Sequence, residues 1–207
     1  MNMRLVWNFE ISNKNPLDLN DLKDSRDEKR WEARYFWPGN TIINLNGLDT
    51  QFLALSNYEV KHRHDCYILL ADSNYNIKQR RMQVLYKPLL GKTELLRGYG
   101  KKINLADYPP DLILPGSKNL KSSDLLKQLE KNQQVIEVQK EALIYKFTSE
   151  PKIKLELARL EIDKKIYLSL CVEGHSQYLV ESIARHLLAT EVSCDYVSFL
   201  KRLAAPC

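Results

Sequence analysis

Long apolar runs are missing from this sequence. Nothing in its 207 residues approaches the roughly 20 consecutive apolar residues of a membrane-spanning helix. The opening MNMRLVWNFEISNKN has no apolar stretch of the length a secretory signal needs. Clustered cysteines are missing too. Cys66, Cys171, Cys194 and Cys207 are scattered without a C-x-x-C pair, so no zinc spacing exists among them. Together these absences lead us to expect a cytoplasmic protein with reduced thiols. Two common catalytic signatures are also absent. LLGKTELL contains Gly91, Lys92 and Thr93, but the first glycine of a phosphate loop is lacking and Pro88 precedes it; no G-x-S-x-G occurs. No internal repeat or low-complexity tract is found. The charge excess is small: 31 Lys and Arg against 26 Asp and Glu, formally +5. KQRRM, from Lys78 to Met82, is too short for a nucleic-acid patch and lacks interleaved aromatics. Neither nucleic acid nor a membrane is expected as a partner.

What is present is charge set out in rows. In YEVKHRHDCYILL, from Tyr58 to Leu70, the odd positions are Glu59, Lys61, Arg63, Asp65 and Tyr67. The even positions are mostly apolar, with His62 and His64 among them. A strand turns successive side chains to opposite faces, so this segment would carry one charged face and one packed face. The pattern recurs. Lys78 and Arg80 share a face, Lys87 closes the next run, Lys140 and Lys146 share a face, Lys154 and Glu156 share a face, and Glu173 ends its run. Two arrangements produce such rows. They are the wet side of a two-layer antiparallel sheet, or they line the inside of a closed barrel, where interior and exterior residues alternate along every strand. Cations dominate the middle runs without interleaved acids, and unpaired like charges on neighbouring strands repel. That favours a barrel whose lumen holds a polyanion, gripped bidentately by Arg and as a point charge by Lys.

The remaining periodicity sets the fold class. Arg4 to Ile11 alternates as a strand. Tyr75 to Arg80 and Met82 to Lys87 read as a hairpin turning near Arg81. Val135 to Phe147 is a further strand, and Lys152 to Asp163 with Ile166 to Gly174 forms a second hairpin. Ser122 opens a short helix. Leu179, Val180, Ile183, Ala184, Leu187 and Leu188 stand at helical spacing. Leu89 to Leu120 holds GYGKK, DYPPD and PGSKN and reads as an irregular insertion. Trp7, Trp31 and Tyr35 to Pro38 are expected as core anchors, and Cys171 as a core residue rather than a nucleophile. The histidines lack a third ligand nearby in sequence and are expected to be packed or at the surface. Strands in runs with isolated helices give an α+β fold: an antiparallel β-barrel or tunnel of about eight strands with a few flanking helices, residues 1–207 forming one domain with the insertion at about 89–120.

The ordered series YEVKHRHDCYIL, YNIKQRR, VLYKPLL, VIEVQKEALIYKF and KLELARLEIDKKIYLSLCVEGH, followed by a helix at Ser176 to Leu188, resembles the CYTH superfamily, the triphosphate tunnel metalloenzymes. The resemblance covers roughly Arg4 to Leu188 and rests on order and spacing. The chain departs from the family's opening Glu-x-Glu-x-Lys: LVWNFEIS offers only Glu10, RWEARYF only Glu32 with Arg34, and Ala142 stands where a later Lys-x-Arg pair would place its arginine. The resemblance implies a small phosphorylated, triphosphate-containing ligand. Its phosphates would be bound by Lys61, Arg63, Lys78, Arg80, Lys87 and Lys140, and Mg²⁺ or Mn²⁺ by Glu59, Glu156 and Glu173. It implies metal-dependent hydrolysis as one function, with no catalytic residue singled out. The missing acids leave a second function open: a non-catalytic module that binds a phosphorylated ligand or a protein after losing its metal site.

Overall fold

The computed structural model describes residues 2–18, 22–131, 134–189 and 191–205. The expected strand from Arg4 to Ile11 is broken in two. β1 (Met3–Val6) and β2 (Phe9–Ser12) form a hairpin that turns at Trp7, whose φ of 48° lies in the left-handed region. The alternation carries across the turn, which is why it reads as one strand in sequence. β3 (Arg30–Pro38) follows, then β4 (Ile43–Asn46), which pairs in parallel with β2 to complete a three-stranded sheet. Two short 3₁₀ turns lead into β5 (Glu59–Leu70), β6 (Ser73–Arg80) and β7 (Gln83–Lys87). Arg81 and Met82, with φ of 48° and 64°, make the two-residue turn between β6 and β7. That is the left-handed pair a tight hairpin requires, achieved without Asn-Gly.

The expected insertion is only partly irregular. Leu89 to Asn104 forms β8 (Leu89–Lys92), β9 (Arg97–Tyr99) and β10 (Ile103–Asn104); beyond it, among the described residues up to 120, only the isolated bridge from Ile113 to Lys121 is ladder-paired. Single strands of two to four residues interrupted by Pro88 and Gly100 leave too short a period to be read from sequence. α1 (Ser122–Lys131), β11 (Gln134–Lys146), β12 (Ile153–Ile162), β13 (Lys165–Gly174), α2 (Gln177–Leu188) and α3 (Tyr196–Ala204) complete the chain. Ser176 caps α2 by accepting from the Leu179 amide, and Asp195 caps α3 by accepting from Ser198.

The main sheet has ten strands in the order β10-β7-β6-β5-β11-β12-β13-β3-β9-β8, every pair antiparallel. The order curls on itself. β7 runs through Pro88 into β8, and β9 runs through residues 100–102 into β10. β8 pairs with β9 and β10 with β7, while the Gly100 amide donates to the Pro88 carbonyl at 2.9 Å between them. Counting each interrupted pair as one strand gives eight around the ring, which is the α+β antiparallel tunnel that the periodicity predicts.

Alternation then sorts the side chains. β3 and β12 place even-numbered residues inside and β5 and β13 odd-numbered ones. α3 closes one end of the lumen, packing Tyr196, Phe199 and Leu200 onto Tyr67, Ile136, Ala158 and Leu160, with Phe36 stacked on Phe199 at 4.0 Å. Each such buried side chain contributes roughly 1.5–3 kcal/mol. Outside, Trp31, Tyr35 and Trp37 of β3 join Leu155, Leu157 and Leu170 under α2 and the small sheet. The aromatic segment is therefore core, as expected. α1 covers Ile68, Ile77 and Tyr86 on the opposite wall.

Candidate anion-binding cavity

The end of the lumen away from α3's apolar side chains is charged. A cavity of about 580 Å³ is lined by residues from β3, β5, β6, β7, β9, β11, β12 and β13 and by the start of α3. Eleven of its lining residues are Lys or Arg and six are Asp or Glu, so the wall itself carries the excess of positive charge.

The deepest acids are each taken up by cations. Glu156 accepts from Lys140 Nζ at 3.0 Å through both oxygens and from Arg34 Nη1 at 3.1 Å. Burial acts to raise its carboxyl, but Lys140 and Arg34 hold it well below the usual carboxylate range. Asp65 is gripped bidentately by Arg80, at 2.5 Å to Oδ1 and 2.7 Å to Oδ2, and accepts from Lys78 Nζ at 2.9 Å. Burial opposes ionisation there as well, and Arg80 and Lys78 still bring the carboxyl down to about 2. Burial pulls Lys78 below the ordinary lysine range, against the pull of Asp65 in the other direction. Glu32, only 8% exposed, accepts from Lys87, whose ammonium also lies 3.9 Å from the centre of the Tyr99 ring. Against burial, Lys87 and then Arg34 hold Glu32 at about 2. Glu173 accepts from Arg30 Nη2 at 2.7 Å.

Other cations on the wall have no such partner. Among the described residues, no acid lies within ion-pair range of Arg63, Lys101, Lys102 or Lys154. Arg63 stands directly opposite Lys140 in the β5–β11 ladder. Burial lowers the Lys102 ammonium, and the charges of Lys87, Arg80 and Arg63 lower it further. Burial does the same to Lys154, helped by Arg30. A group of cations facing one space, each disfavouring its neighbours' charge, is the electrostatic counterpart of an anion.

The structure brings most of the sequence candidates together. Lys61, Arg63, Lys78, Lys87 and Lys140 all line the cavity; Arg80 does not, and serves instead to hold Asp65. Of the proposed metal ligands, Glu156 and Glu173 line the cavity. Glu59 stays at the exposed start of β5, its carboxylate 2.8 Å from Lys61 and 3.1 Å from Lys146. Glu59, Glu156 and Glu173 therefore do not fit one ion. The acids that do converge are Glu32 and Glu173, directly opposite each other in the β3–β13 ladder, with Cys171 beside them and all three ligand atoms within 4.8 Å. Two like charges so placed repel unless cations attend them, and here Lys87 and Arg30 do. The Cys171 thiol is a poor partner for a hard ion, and burial pushes it far up.

Arg30, Glu32 and Arg34 were not among the sequence candidates, although R-x-E-x-R is itself a period-2 row. The tryptophans and the tyrosine of the same segment, Trp31, Tyr35 and Trp37, alternating on the other face, mark it first as core. Lys102 carries no local signal, because it lies in the link between β9 and β10, and the two residues of β10 are too few to show a period.

No protein-family profile matches the chain, and no curated protein sequence does. One solved structure, a "putative adenylate cyclase" from Bacillus halodurans, aligns with 86% of this chain and 100% of its own at 11% identity and a TM-score of 0.37. So loose a likeness bears on neither the fold nor the activity of this chain. Among the described residues, no helix is long and apolar enough to cross a membrane.

Proposed function

We propose that this chain binds a small polyphosphate-bearing ligand in its cationic tunnel, held chiefly by Arg63, Lys61, Lys87, Lys102, Lys140 and Lys154. The observation that carries this proposal is the cluster of lumen cations facing one enclosed space, of which Arg63, Lys102 and Lys154 have no acid within ion-pair range among the described residues, while Lys61, Lys87 and Lys140 each hold one. The cavity volume lies within the roughly 300–1,000 Å³ usual for small-molecule sites. An anion with several charged oxygens would meet several cations at once, where a monoanion would leave most of them unsatisfied. Because every deep carboxylate already holds a Lys or Arg, binding without catalysis is the simplest function of the site.

The facing carboxylates of Glu32 and Glu173 support a second reading. Each has one oxygen bonded to a protein cation in the ion pairs described above. A Mg²⁺ or Mn²⁺ ion arriving on the phosphates is commonly held by only one or two carboxylates besides its waters. On that reading the chain hydrolyses its ligand.

One experiment separates the two. Tripolyphosphate and nucleoside triphosphates are screened by thermal shift, with and without Mg²⁺ or Mn²⁺, against sulfate at equal ionic strength. A ligand that binds only the native state raises its melting temperature. A polyphosphate-specific rise supports the tunnel. Release of inorganic phosphate with metal, lost in Glu32→Gln and Glu173→Gln, supports hydrolysis. No rise with any polyphosphate from a natively folded sample would overturn both.

A further inference from the structure

The outer wall of the barrel carries a second group of ligand-type side chains. Cys66 on β5 stands directly opposite Glu137 on β11, and His64, two residues along β5, shares their face. The His64 Nε2, Cys66 Sγ and Glu137 carboxylate oxygen all lie within 4.8 Å of one another. His64 Nε2 is 3.4 Å from Glu137 Oε2. Two ligands bound to one tetrahedral zinc at roughly 2.0–2.1 Å are separated by about 3.4 Å, so this edge already has the length that coordination needs.

This group differs from the lumen carboxylates in what surrounds it. Glu32 and Glu173 each hold a Lys or Arg, whereas among the described residues Glu137 has no ion-pair partner other than His64. His64 and Glu137 are exposed and Cys66 is half-buried, so an ion can reach them and the remaining coordination position faces solvent. Burial, with Glu137 and Asp65, pushes the Cys66 thiol up, so it is protonated in the absence of metal. Nitrogen, sulfur and oxygen donors together suit a borderline-soft divalent ion and disfavour Mg²⁺ or Ca²⁺.

We propose that His64, Cys66 and Glu137 form an external site for a zinc-class divalent ion, with one coordination position open to water. Binding displaces the Cys66 proton to solvent and leaves a thiolate on the metal. The ion ties β5 to β11 immediately outside Asp65, since His64 and Cys66 are its chain neighbours. This proposal is independent of what the tunnel binds.

The test uses the full chain, with any affinity tag removed and a thiol-free reductant. Titration with Co²⁺ should give a thiolate-to-cobalt charge-transfer band that saturates at one equivalent and is displaced by Zn²⁺. Cys66→Ser should abolish the band, while His64→Ala and Glu137→Gln should weaken Co²⁺ binding at least tenfold. Zn²⁺ should also protect Cys66 from alkylation, read by peptide mass spectrometry. All three side chains face outward, and circular dichroism checks that each variant folds. Cys66→Ala is read in the same way should the serine variant unfold. No band in the folded wild type, or a band that survives loss of Cys66, overturns the proposal.

Discussion

Replacing Arg63 by alanine separates a ligand-binding cation from a structural one. Arg63 lines the cavity, and among the described residues it has no acid within ion-pair range. Its neighbour across the β5–β11 ladder is Lys140, and its charge is also felt at Lys102. A charge-assisted hydrogen bond to a phosphate oxygen contributes roughly 1.5–3 kcal/mol, so losing it should weaken tripolyphosphate binding by at least about tenfold, or 1.4 kcal/mol. Without ligand, the substitution removes a like-charge pair across strands, an effect of about 0.2–1 kcal/mol, and breaks no ion pair. Stability should therefore hold or rise slightly. Calorimetric titration with tripolyphosphate gives the first quantity and urea unfolding the second. Unchanged affinity together with a stability loss above about 2 kcal/mol would make Arg63 a structural residue and refute the anion-binding tunnel.

Glu156→Gln should behave in the opposite way. It leaves Lys140 and Arg34 buried against a neutral amide, and breaking a buried pair costs about 3–5 kcal/mol, measured by denaturant unfolding; a loss within 0.5 kcal/mol would mean that the pair contributes little to the fold. Stability should also fall in acid. Glu32 and Asp65 have native carboxyls at about 2 against ordinary values of 4.5 and 3.8, so the unfolded chain takes up protons first. Their contribution, about 2–3 kcal/mol each, is complete above pH 4.5 and disappears as the pH falls towards 2, which unfolding across that range will show. Gly98→Ala places a Cβ 2.9 Å from the Trp31 ring, at the seam where β9 pairs with β3. It should destabilise by about 1–3 kcal/mol and reduce tripolyphosphate affinity, and a melting temperature equal to that of the wild type would mean the seam accommodates it.

Local pattern carried much of this. The alternation in Tyr58 to Leu70 made β5 a strand and put Lys61, Arg63 and Asp65 on one face, because side-chain parity along a strand needs no tertiary information. The same holds for β11, for the hairpin of β12 and β13, and for α2, whose apolar positions repeat at helical spacing over twelve residues. Parity does not say what a face will meet. The even face of β5 was expected to be packed, yet Val60 is 53% exposed and His62 and His64 face solvent, because among the described residues no helix covers that stretch of the barrel. Nor does sequence show that Pro88 and Gly100 interrupt strands rather than end them, which is what closes the ring and brings Lys102 to Arg63 and Lys87. The convergence of Glu32 with Glu173, and of Cys66 and His64 with Glu137, depends on ladder register between segments 71 or more residues apart. Strand alternation fixed the rows of charge; only the pairing of distant strands, set by which apolar faces α2, α3 and α1 cover, decided that those rows enclose a common space.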